Sequence, residues 1–376
     1  MIPFNKPHLT GNELKYIQDA VSRGKISGNG YYTQKCHEFF HKRQGFRKCL
    51  LTSSCTDALE MAAILCDIKP GDEVIIPSYT FVSTANAFIL RGARIVFADS
   101  RSDHPGLDED QIEELITPQS KVIVPVHYAG IACDMNKIMS LADKYNLLVV
   151  EDSAQGIESF YKGKPLGSIG HLGSFSFHET KNIQCGEGGM LAINDSRFIN
   201  RSEIIWEKGT NRAAFWRGEL DKYGWVDIGS SFLPSEIQAA FLFAQLENLR
   251  CIQDKRKELW QKYYENLITM SDAGYFKVPI VPEYSTQNAH MFYIICKSME
   301  ERTNLIAYLK GKSIQTVFHY QSLHKSAYFN DKHDGRILQR SVHYTDCLLR
   351  LPFYYELELS EVTYITNSIY EFYKSF

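Results

Sequence analysis

Two residues in the sequence have an obvious chemical use, an aspartate that follows an apolar run and a lysine 29 residues later. Asp152 comes after LLVVE, and Lys181 lies in SFHETKNIQCGEGGM, between a predicted strand and a glycine-rich turn. Pyridoxal phosphate needs an amine for its Schiff base and a carboxylate that keeps its ring nitrogen protonated. The pair therefore suggests this chemistry, although Asp152 alone is equally typical of a helix N-cap and Lys181 alone of a surface residue.

Two further segments offer groups that could hold such a cofactor. In TSSCTDALEMA, small polar residues lead into a predicted helix, whose first amides near Thr56 and Asp57 could bind a phosphate. The alternative is an ordinary capped helix. PSYTF supplies Tyr79 and Phe81, and either ring could stack on a flat cofactor or pack in the core.

The elements that would position these residues follow a regular alternation. Apolar strands such as KCLLT, EVIIP, ARIVF, KVIVPV and LLVVE alternate with helical segments. Strands this apolar predict a mostly parallel sheet that is covered by helices on both faces. Ligands bind beyond the carboxyl ends of such strands, where TSSCTDA, PSYTF, VHYAG and EDSAQG are found.

The pattern changes in the last third of the chain. Residues 235–270 predict a long helical stretch, with Ser235 and Gln238 as a capping box at its start. Shorter helices and strands follow. We therefore predict a large domain over residues 1–250 and a smaller α+β domain over residues 251–376.

Composition argues against several classes of protein. The net charge of −3 over 376 residues gives no electrostatic reason to expect nucleic-acid or anionic-membrane binding. No secretory h-region or membrane-length apolar run is apparent. Nine irregularly spaced cysteines without a CxxC pair predict neither a zinc site nor a disulfide framework, so we expect free thiols, no metal and a cytoplasmic location.

Competing motifs are also missing from the sequence. GxGxxG, the phosphate-binding GxxxxGK[ST] and the nucleophile motif GxSxG do not occur. His319 and His324 are five residues apart, an awkward spacing for two metal ligands on one helix face. Dinucleotide-binding folds, P-loop enzymes and serine hydrolases therefore have no support.

Taken together, the segments resemble a known family. The chain is similar to the sugar-nucleotide aminotransferases of the DegT/DnrJ/StrS type, which have the aspartate aminotransferase fold (type I), from MIPFNKP nearly to its C-terminus. The markers are SSCTDALEMA, PGDEVIIPSYTFVSTANA, VHYAG, VVEDSAQG, FSFHETKN, GEGGM, EIQAA and FHYQSLH. The resemblance implies pyridoxal 5'-phosphate as cofactor, with a large α/β domain, a smaller C-terminal domain and a homodimer whose active sites lie at the subunit interface.

For the cofactor ring, the resemblance implies a role for each of four residues. Lys181 would form the Schiff base and later move the proton, and Asp152 would pair with the ring nitrogen. Gln155 would bond the ring hydroxyl, and Phe81 would stack on the ring.

For the phosphate, the resemblance implies the backbone of Thr56 and Asp57 and the hydroxyl of Ser176. Relatives often add an asparagine of the second subunit, in a GYNxR-like segment. Here the segment is GSSFL, which aligns Ser231 with that asparagine and offers a shorter hydroxyl. The usual glycine of SGT is Cys55, which matters little where backbone amides make the contacts.

The implied reaction moves an amino group from L-glutamate to a dTDP-linked 4-keto-6-deoxyhexose, with the galactose configuration favoured. His290, His319 and His324 lie in segments that approach the sugar nucleotide in such enzymes, although core histidines are an alternative. A glucose-configured product, a 3-ketosugar substrate and a non-catalytic cofactor-binding regulator remain alternatives. The dehydratase branch has histidine at the position of Lys181, which argues against it.

Overall fold

A computed structural model describes residues 1–375. The strands are β1 (Lys48–Thr52), β2 (Glu73–Pro77), β3 (Arg94–Ala98), β4 (Ser120–Ile123), β5 (Leu148–Asp152), β6 (Phe160–Tyr161), β7 (Lys164–Pro165), β8 (Leu172–Ser176), β9 (Gly189–Ile193), β10 (Tyr293–Ile295), β11 (Val317–Phe318) and β12 (Leu348–Arg350). The α-helices are α1 (Glu13–Ser22), α2 (Tyr31–Gln44), α3 (Cys55–Leu65), α4 (Val82–Ile89), α5 (Ile112–Leu115), α6 (Met135–Tyr145), α7 (Ile199–Trp206), α8 (Arg212–Trp216), α9 (Glu236–Glu247), α10 (Leu249–Asp272), α11 (Met299–Gly311), α12 (Gln339–Cys347) and α13 (Leu359–Lys374).

Within these residues a seven-stranded sheet has the order β1-β9-β8-β5-β4-β2-β3. The pairs from β8 to β3 are parallel, whereas β9 runs antiparallel to both β8 and β1. Both faces are covered, as β2 illustrates: Val74 and Ile76 pack in one cluster with Leu59, and Ile75 packs in another with Ile138. The predicted mostly parallel sheet is confirmed.

The C-terminal part forms a second core around the antiparallel sheet β10-β12-β11. The capping box of Ser235 and Gln238 is confirmed, but the predicted single helix divides at Asn248 into α9 and α10. Early residues of α10, such as Ile252, pack with the large sheet, and later ones, such as Leu259, pack in the second core.

The division at residues 250 and 251 stays a prediction, and it falls at the start of α10. The first residues of the chain do not fit this division, because they pack against the C-terminal part. Ile2 pairs with Ile314, and the Phe353 amide donates to the Phe4 carbonyl at 3.1 Å. Residues 2–4 therefore contact the C-terminal core rather than the large sheet.

One edge of the large sheet collects the residues that the sequence singled out. Asp152 ends β5 and pairs in register with Ser174 of the neighbouring β8, which ends at Ser176. Because β9 is antiparallel, its first residue, Gly189, pairs with the last residue of β1, Thr52. Three strand ends and one strand start therefore meet where parallel sheets bind ligands.

A buried carboxylate on β5 supports this edge. Glu151 accepts hydrogen bonds from the amides of Gly167, Ile169 and Gly170, at 2.8, 2.7 and 2.6 Å. It also lies 2.9 Å from His127 Nε2, while His127 Nδ1 accepts from an amide. With four hydrogen-bond donors around it, the buried Glu151 carboxylate has the partners that a buried charge requires. These bonds also fix two loops beside the end of β5.

We predict that Glu151→Gln destabilises the protein by about 3 kcal/mol, because an amide has one acceptor oxygen and its NH2 group faces buried donors. Chemical denaturation followed by circular dichroism measures the change. Glu258→Gln is the control, since Glu258 is exposed and, among residues 1–375, forms an ion pair only with Lys255, at 3.0 Å. Its effect stays below about 0.5 kcal/mol, and equal effects of both substitutions would contradict the assignment.

Candidate active site

A cavity of about 390 Å³ lies at this edge of the sheet and extends to the C-terminal core. It brings together most of the residues that the sequence nominated: Thr56, Phe81, Asp152, Gln155, Ser176, Lys181, His290 and His319. Asp57, Ser231 and His324 do not line it. Residues separated by more than 260 positions along the chain thus share one pocket.

Lys181 reaches this cavity from the loop between β8 and β9, where its amide donates to the His178 carbonyl at 2.9 Å. Within residues 1–375 its amino group has neither a hydrogen bond nor an ion pair. Burial lowers the pKa of Lys181 to about 8, and the guanidinium of Arg350 acts in the same direction. An unpartnered amine with a lowered pKa is suited to imine formation and proton transfer.

Asp152 is held in place from two sides. Thr84 Oγ1 donates to one carboxylate oxygen at 2.7 Å, and the Ala154 amide donates to the other at 3.1 Å. Only 5% of Asp152 is exposed. The sequence analysis missed Thr84, which lies on α4 and donates to this carboxylate across the sheet edge.

The first turn of α3 faces the cavity with backbone donors. Ser54 caps this helix, and its hydroxyl accepts from the Asp57 amide at 3.1 Å. The amide of Asp57, which was expected to hold phosphate, thus already has a partner. The preceding amides of Cys55 and Thr56 have no carbonyl partner within the helix, as at any helix start.

Gly189 lets the strand β9 approach this helix start closely. A Cβ atom built at Gly189 would lie 2.3 Å from the Ser54 carbonyl carbon and 2.4 Å from the Cys55 nitrogen. Both neighbours are backbone atoms, so they could not move away by a side-chain rotation. The last glycine of GEGG, Gly189, is therefore required for close packing, a reason that the sequence did not reveal.

The two candidate aromatic residues, Tyr79 and Phe81, differ in their exposure. Tyr79 is fully buried, and its hydroxyl donates to the His319 carbonyl, so it packs in the core. Phe81 is 55% exposed, caps α4 and lines the cavity, with its ring centroid 6.0 Å from that of Tyr320. Of the pair, Phe81 is the ring available for stacking on a ligand.

Gln155 is oriented by two contacts. Its Oε1 accepts from the Ala129 amide at 2.6 Å, and its Nε2 lies 3.3 Å from the Tyr320 hydroxyl. Tyr320 has a φ of +56° and stacks on His319, with ring centroids 3.5 Å apart. The sequence analysis quoted FHYQSLH for its histidines but did not identify this tyrosine as a cavity residue.

The three candidate histidines differ in position and in hydrogen-bond partner. His290 Nδ1 pairs with Asn182 Oδ1 at 2.8 Å, and His319 Nδ1 pairs with the Tyr128 hydroxyl at 2.7 Å. Burial lowers the pKa of both well below the usual range, so both rings are neutral. His324 does not line this cavity, and its Nδ1 lies 2.6 Å from Ser78 Oγ, so its expected approach to the substrate stays a prediction.

Ser231 lies away from the cavity of its own chain. It is exposed and forms an isolated bridge with Glu207. Any contact of Ser231 with a phosphate would therefore have to occur in a second subunit. Over residues 1–375 the structure shows no cluster of three or more potential metal ligands, and none of its helices is long and apolar enough to cross a membrane.

These residues fit pyridoxal phosphate. The cavity offers an amine without a partner, a positioned carboxylate, an exposed aromatic ring and a helix start with backbone amides. The four features match the aldehyde, the ring nitrogen, the ring face and the phosphate of this cofactor.

Comparisons with known proteins agree with this geometry. The chain is 31% identical over 373 residues to the GDP-perosamine synthase of Escherichia coli O157:H7, covering 99% of this chain and 98% of that protein. The PMP form of Spr1654 from Streptococcus pneumoniae superposes with a TM-score of 0.91 at 26% identity, covering both chains fully, and its PLP form with 0.90. An aminotransferase from Psychrobacter cryohalolentis gives 0.93 at 25% identity, covering 99% of each chain.

The family assignment spans almost the whole sequence, since residues 7–370 match one family. The expected pyridoxal-phosphate-dependent aminotransferase fold is confirmed by the solved structures. The chain therefore belongs to the DegT/DnrJ/EryC1/StrS aminotransferase family, whose members are pyridoxal-phosphate-dependent sugar aminotransferases.

Proposed function

We propose that this enzyme transfers the amino group of L-glutamate to a dTDP-linked 4-keto-6-deoxyhexose and gives the galactose-configured 4-amino sugar. The observation that carries the transfer chemistry is the unpartnered amine of Lys181 in one cavity with the fixed carboxylate of Asp152. The substrate is supported by KPGDEVIIPSYTFVSTANAFILRGARIVF and KGTNR, which resemble the dTDP-4-amino-4,6-dideoxygalactose transaminase of enterobacterial common antigen synthesis. The relative named GDP-perosamine synthase makes GDP the first alternative nucleotide.

Each cavity residue has a defined task in this proposal. When bound, pyridoxal phosphate supplies the electron sink that stabilises a carbanion next to the amino nitrogen. Lys181, whose pKa is about 8, accepts the α-proton of the amino donor and later delivers a proton to the acceptor carbon. Asp152 would keep the cofactor's ring nitrogen protonated, because Thr84 and Ala154 hold its carboxylate in place at the cavity.

The remaining residues bind and orient. Phe81 would stack on the cofactor ring, and Gln155 would bond the ring hydroxyl, since Ala129 and Tyr320 fix the amide group of Gln155. The cofactor phosphate would be held by the first amides of α3, near Thr56, and by the Ser176 hydroxyl at the end of β8.

The proposal includes a homodimer. Large apolar side chains remain exposed in two segments of the single chain: Leu14 and Val21 on α1, and Trp216, Trp225, Val226 and Ile228 after α7. Apolar side chains of this size are typical of subunit interfaces. Ser231 directly follows the second segment, which supports its proposed contact with the partner's phosphate site.

We also propose a cytoplasmic location. The structure has nine free cysteines, and six of them are buried (Cys36, Cys49, Cys66, Cys133, Cys296 and Cys347). Thiols that stay unpaired are typical of a reducing compartment.

Adding L-glutamate to the cofactor-loaded enzyme is expected to remove its visible absorbance band, and adding dTDP-4-keto-6-deoxyglucose is expected to restore it. NMR of the product identifies the position and configuration of the new amine. GDP- and UDP-linked substrates, offered in parallel, test the nucleotide. A 3-amino product would overturn the proposed substrate, and an unchanged band with glutamate would overturn the transferase itself.

We predict that Lys181→Ala lowers turnover about 10³-fold or more, because the imine-forming amine and the proton carrier are both lost. The band of the imine should also disappear. Lys257→Ala is the control, since Lys257 is exposed on α10. Retained transamination in Lys181→Ala would reject the role given to this residue.

We predict that Gly189→Ala weakens binding of pyridoxal phosphate about tenfold, because the new methyl group pushes β9 away from the amides at the start of α3. Titration of the cofactor-free protein by absorbance measures this affinity. Gly311→Ala is the matched control, since a Cβ at Gly311 meets nothing within 4 Å. Equal affinities of the two variants would show that the close approach is not needed for cofactor binding.

We predict that Trp225→Glu converts a dimer into monomers, because Trp225 is 84% exposed in the single chain and would be buried against the partner. Sedimentation velocity measures the change, and cofactor affinity should fall as the partner's Ser231 is removed. Met299→Glu, an exposed position on α11, is the control. A monomeric parent protein would refute the interface.

A further inference from the structure

His290 has a ring nitrogen to which the cofactor chemistry gives no task. The residue lies shortly before β10, and its amide donates to Asn288 Oδ1 at 3.0 Å. Its ring lines the same cavity as Lys181, although only 4% of the residue is exposed. The C-terminal core thus places an imidazole with a fixed backbone in the cavity that holds the reacting groups.

The position of the proton on this imidazole follows from its neighbour Asn182. Asn182 Nδ2 donates to Gln253 Oε1 and to the Asn288 carbonyl, both at 2.8 Å. Because a backbone carbonyl can only accept a hydrogen bond, the side-chain amide of Asn182 cannot be turned round. Its Oδ1 therefore faces His290 Nδ1, at 2.8 Å. An amide oxygen is also only an acceptor, so Nδ1 of His290 carries the proton.

The second ring nitrogen, Nε2, is consequently a hydrogen-bond acceptor. Burial lowers the pKa of His290 well below its usual range, and the charge of Lys181 acts in the same direction. The ring is therefore neutral, and Nε2 keeps its lone pair. Among residues 1–375 this nitrogen has no hydrogen-bond partner, and it is accessible from the cavity. An acceptor taken out of water costs free energy until a donor reaches it.

The proposed substrate has one suitable donor next to its reacting carbon. In a 4-keto-6-deoxyhexose, the ketone carbon lies between carbon 3 and carbon 5 of the ring. Carbon 5 bears the ring oxygen and a methyl group, and neither can donate a hydrogen bond. Carbon 3 bears a hydroxyl. Since the ketone carbon must come within reach of Lys181, this neighbouring hydroxyl enters the cavity that His290 also lines.

We propose that His290 Nε2 accepts a hydrogen bond from the hydroxyl at carbon 3 of the ketosugar, and that it thereby selects substrates with this hydroxyl. This assignment rests on the proposed function. A site with an acceptor that would stay unpaired discriminates against an analogue without the donor. Asn182, which follows Lys181 in the chain, sets the direction of this recognition, because it holds the proton on the other ring nitrogen.

The binding test uses calorimetry on the cofactor-loaded enzyme, with two sugar nucleotides that have no ketone and cannot react. One carries a 6-deoxyhexose with its hydroxyl at carbon 3, and the other carries the 3-deoxy counterpart, both on the nucleotide that supports turnover. The parent enzyme is expected to bind the first roughly 10- to 100-fold more tightly. No preference in the parent would overturn the proposal.

His290→Asn is the informative variant, because the asparagine amide can still donate to Asn182 but leaves no acceptor at the Nε2 position. It should abolish the preference, whereas His290→Gln, whose side-chain carbonyl can reach that position, should keep part of it. His343→Asn is the matched control, since His343 is exposed on α12, and it should keep the full preference. A full preference in His290→Asn would also overturn the proposal.

A kinetic test separates recognition of the sugar from an effect on Lys181. Loss of the visible band with L-glutamate and its return with the ketosugar are followed separately. His290→Asn should lower kcat/KM for the ketosugar about tenfold or more, and that for L-glutamate by less. Equal losses would assign Nε2 to the amine of Lys181 and overturn the proposal. A parent enzyme that does not aminate the 4-ketosugar would refute the proposed substrate, whereas an active parent with an unaffected His290→Asn would refute only the role of His290.

Discussion

The site depends on keeping an amine and a carboxylate in one cavity without letting them pair with each other. Asp152 is anchored at the end of β5 by Thr84 and Ala154, and Lys181 comes from the loop after β8 with no partner. A direct ion pair would satisfy both groups and remove the chemistry. The parallel neighbours β5 and β8 provide the separation, because each element fixes one group independently.

The support behind these groups is largely polar and buried. Glu151 ties the loop at residues 167–170 and His127 to the strand that ends in Asp152. Such a network is stable only when every donor and acceptor is matched. The two adjacent acids therefore have different roles. Glu151 binds backbone amides of the neighbouring loop, and Asp152 lines the cavity.

The sequence predicted the parts of the site that follow directly from strand ends. Asp152, Phe81 and the start of α3 each come just after an apolar strand, so their convergence could be inferred. Thr84 and Arg350 could not, because their contacts with the site arise from packing between distant segments. His319 lines the cavity and His324 does not, although the two are five residues apart, so closeness in sequence did not indicate which of them faces the cavity. The continuous apolar pattern over residues 235–270 likewise concealed the break at Asn248.

The contact between Gly189 and the start of α3 links ligand binding to the stability of the sheet. Gly189 opens β9, the antiparallel strand that joins β8 to β1, and it touches the backbone of Ser54 and Cys55. A phosphate bound by those amides would therefore hold the helix against the strand as well as holding the coenzyme. By mass action, a molecule that binds only the folded state raises resistance to heat. The protein stripped of its coenzyme should accordingly begin to melt at this junction.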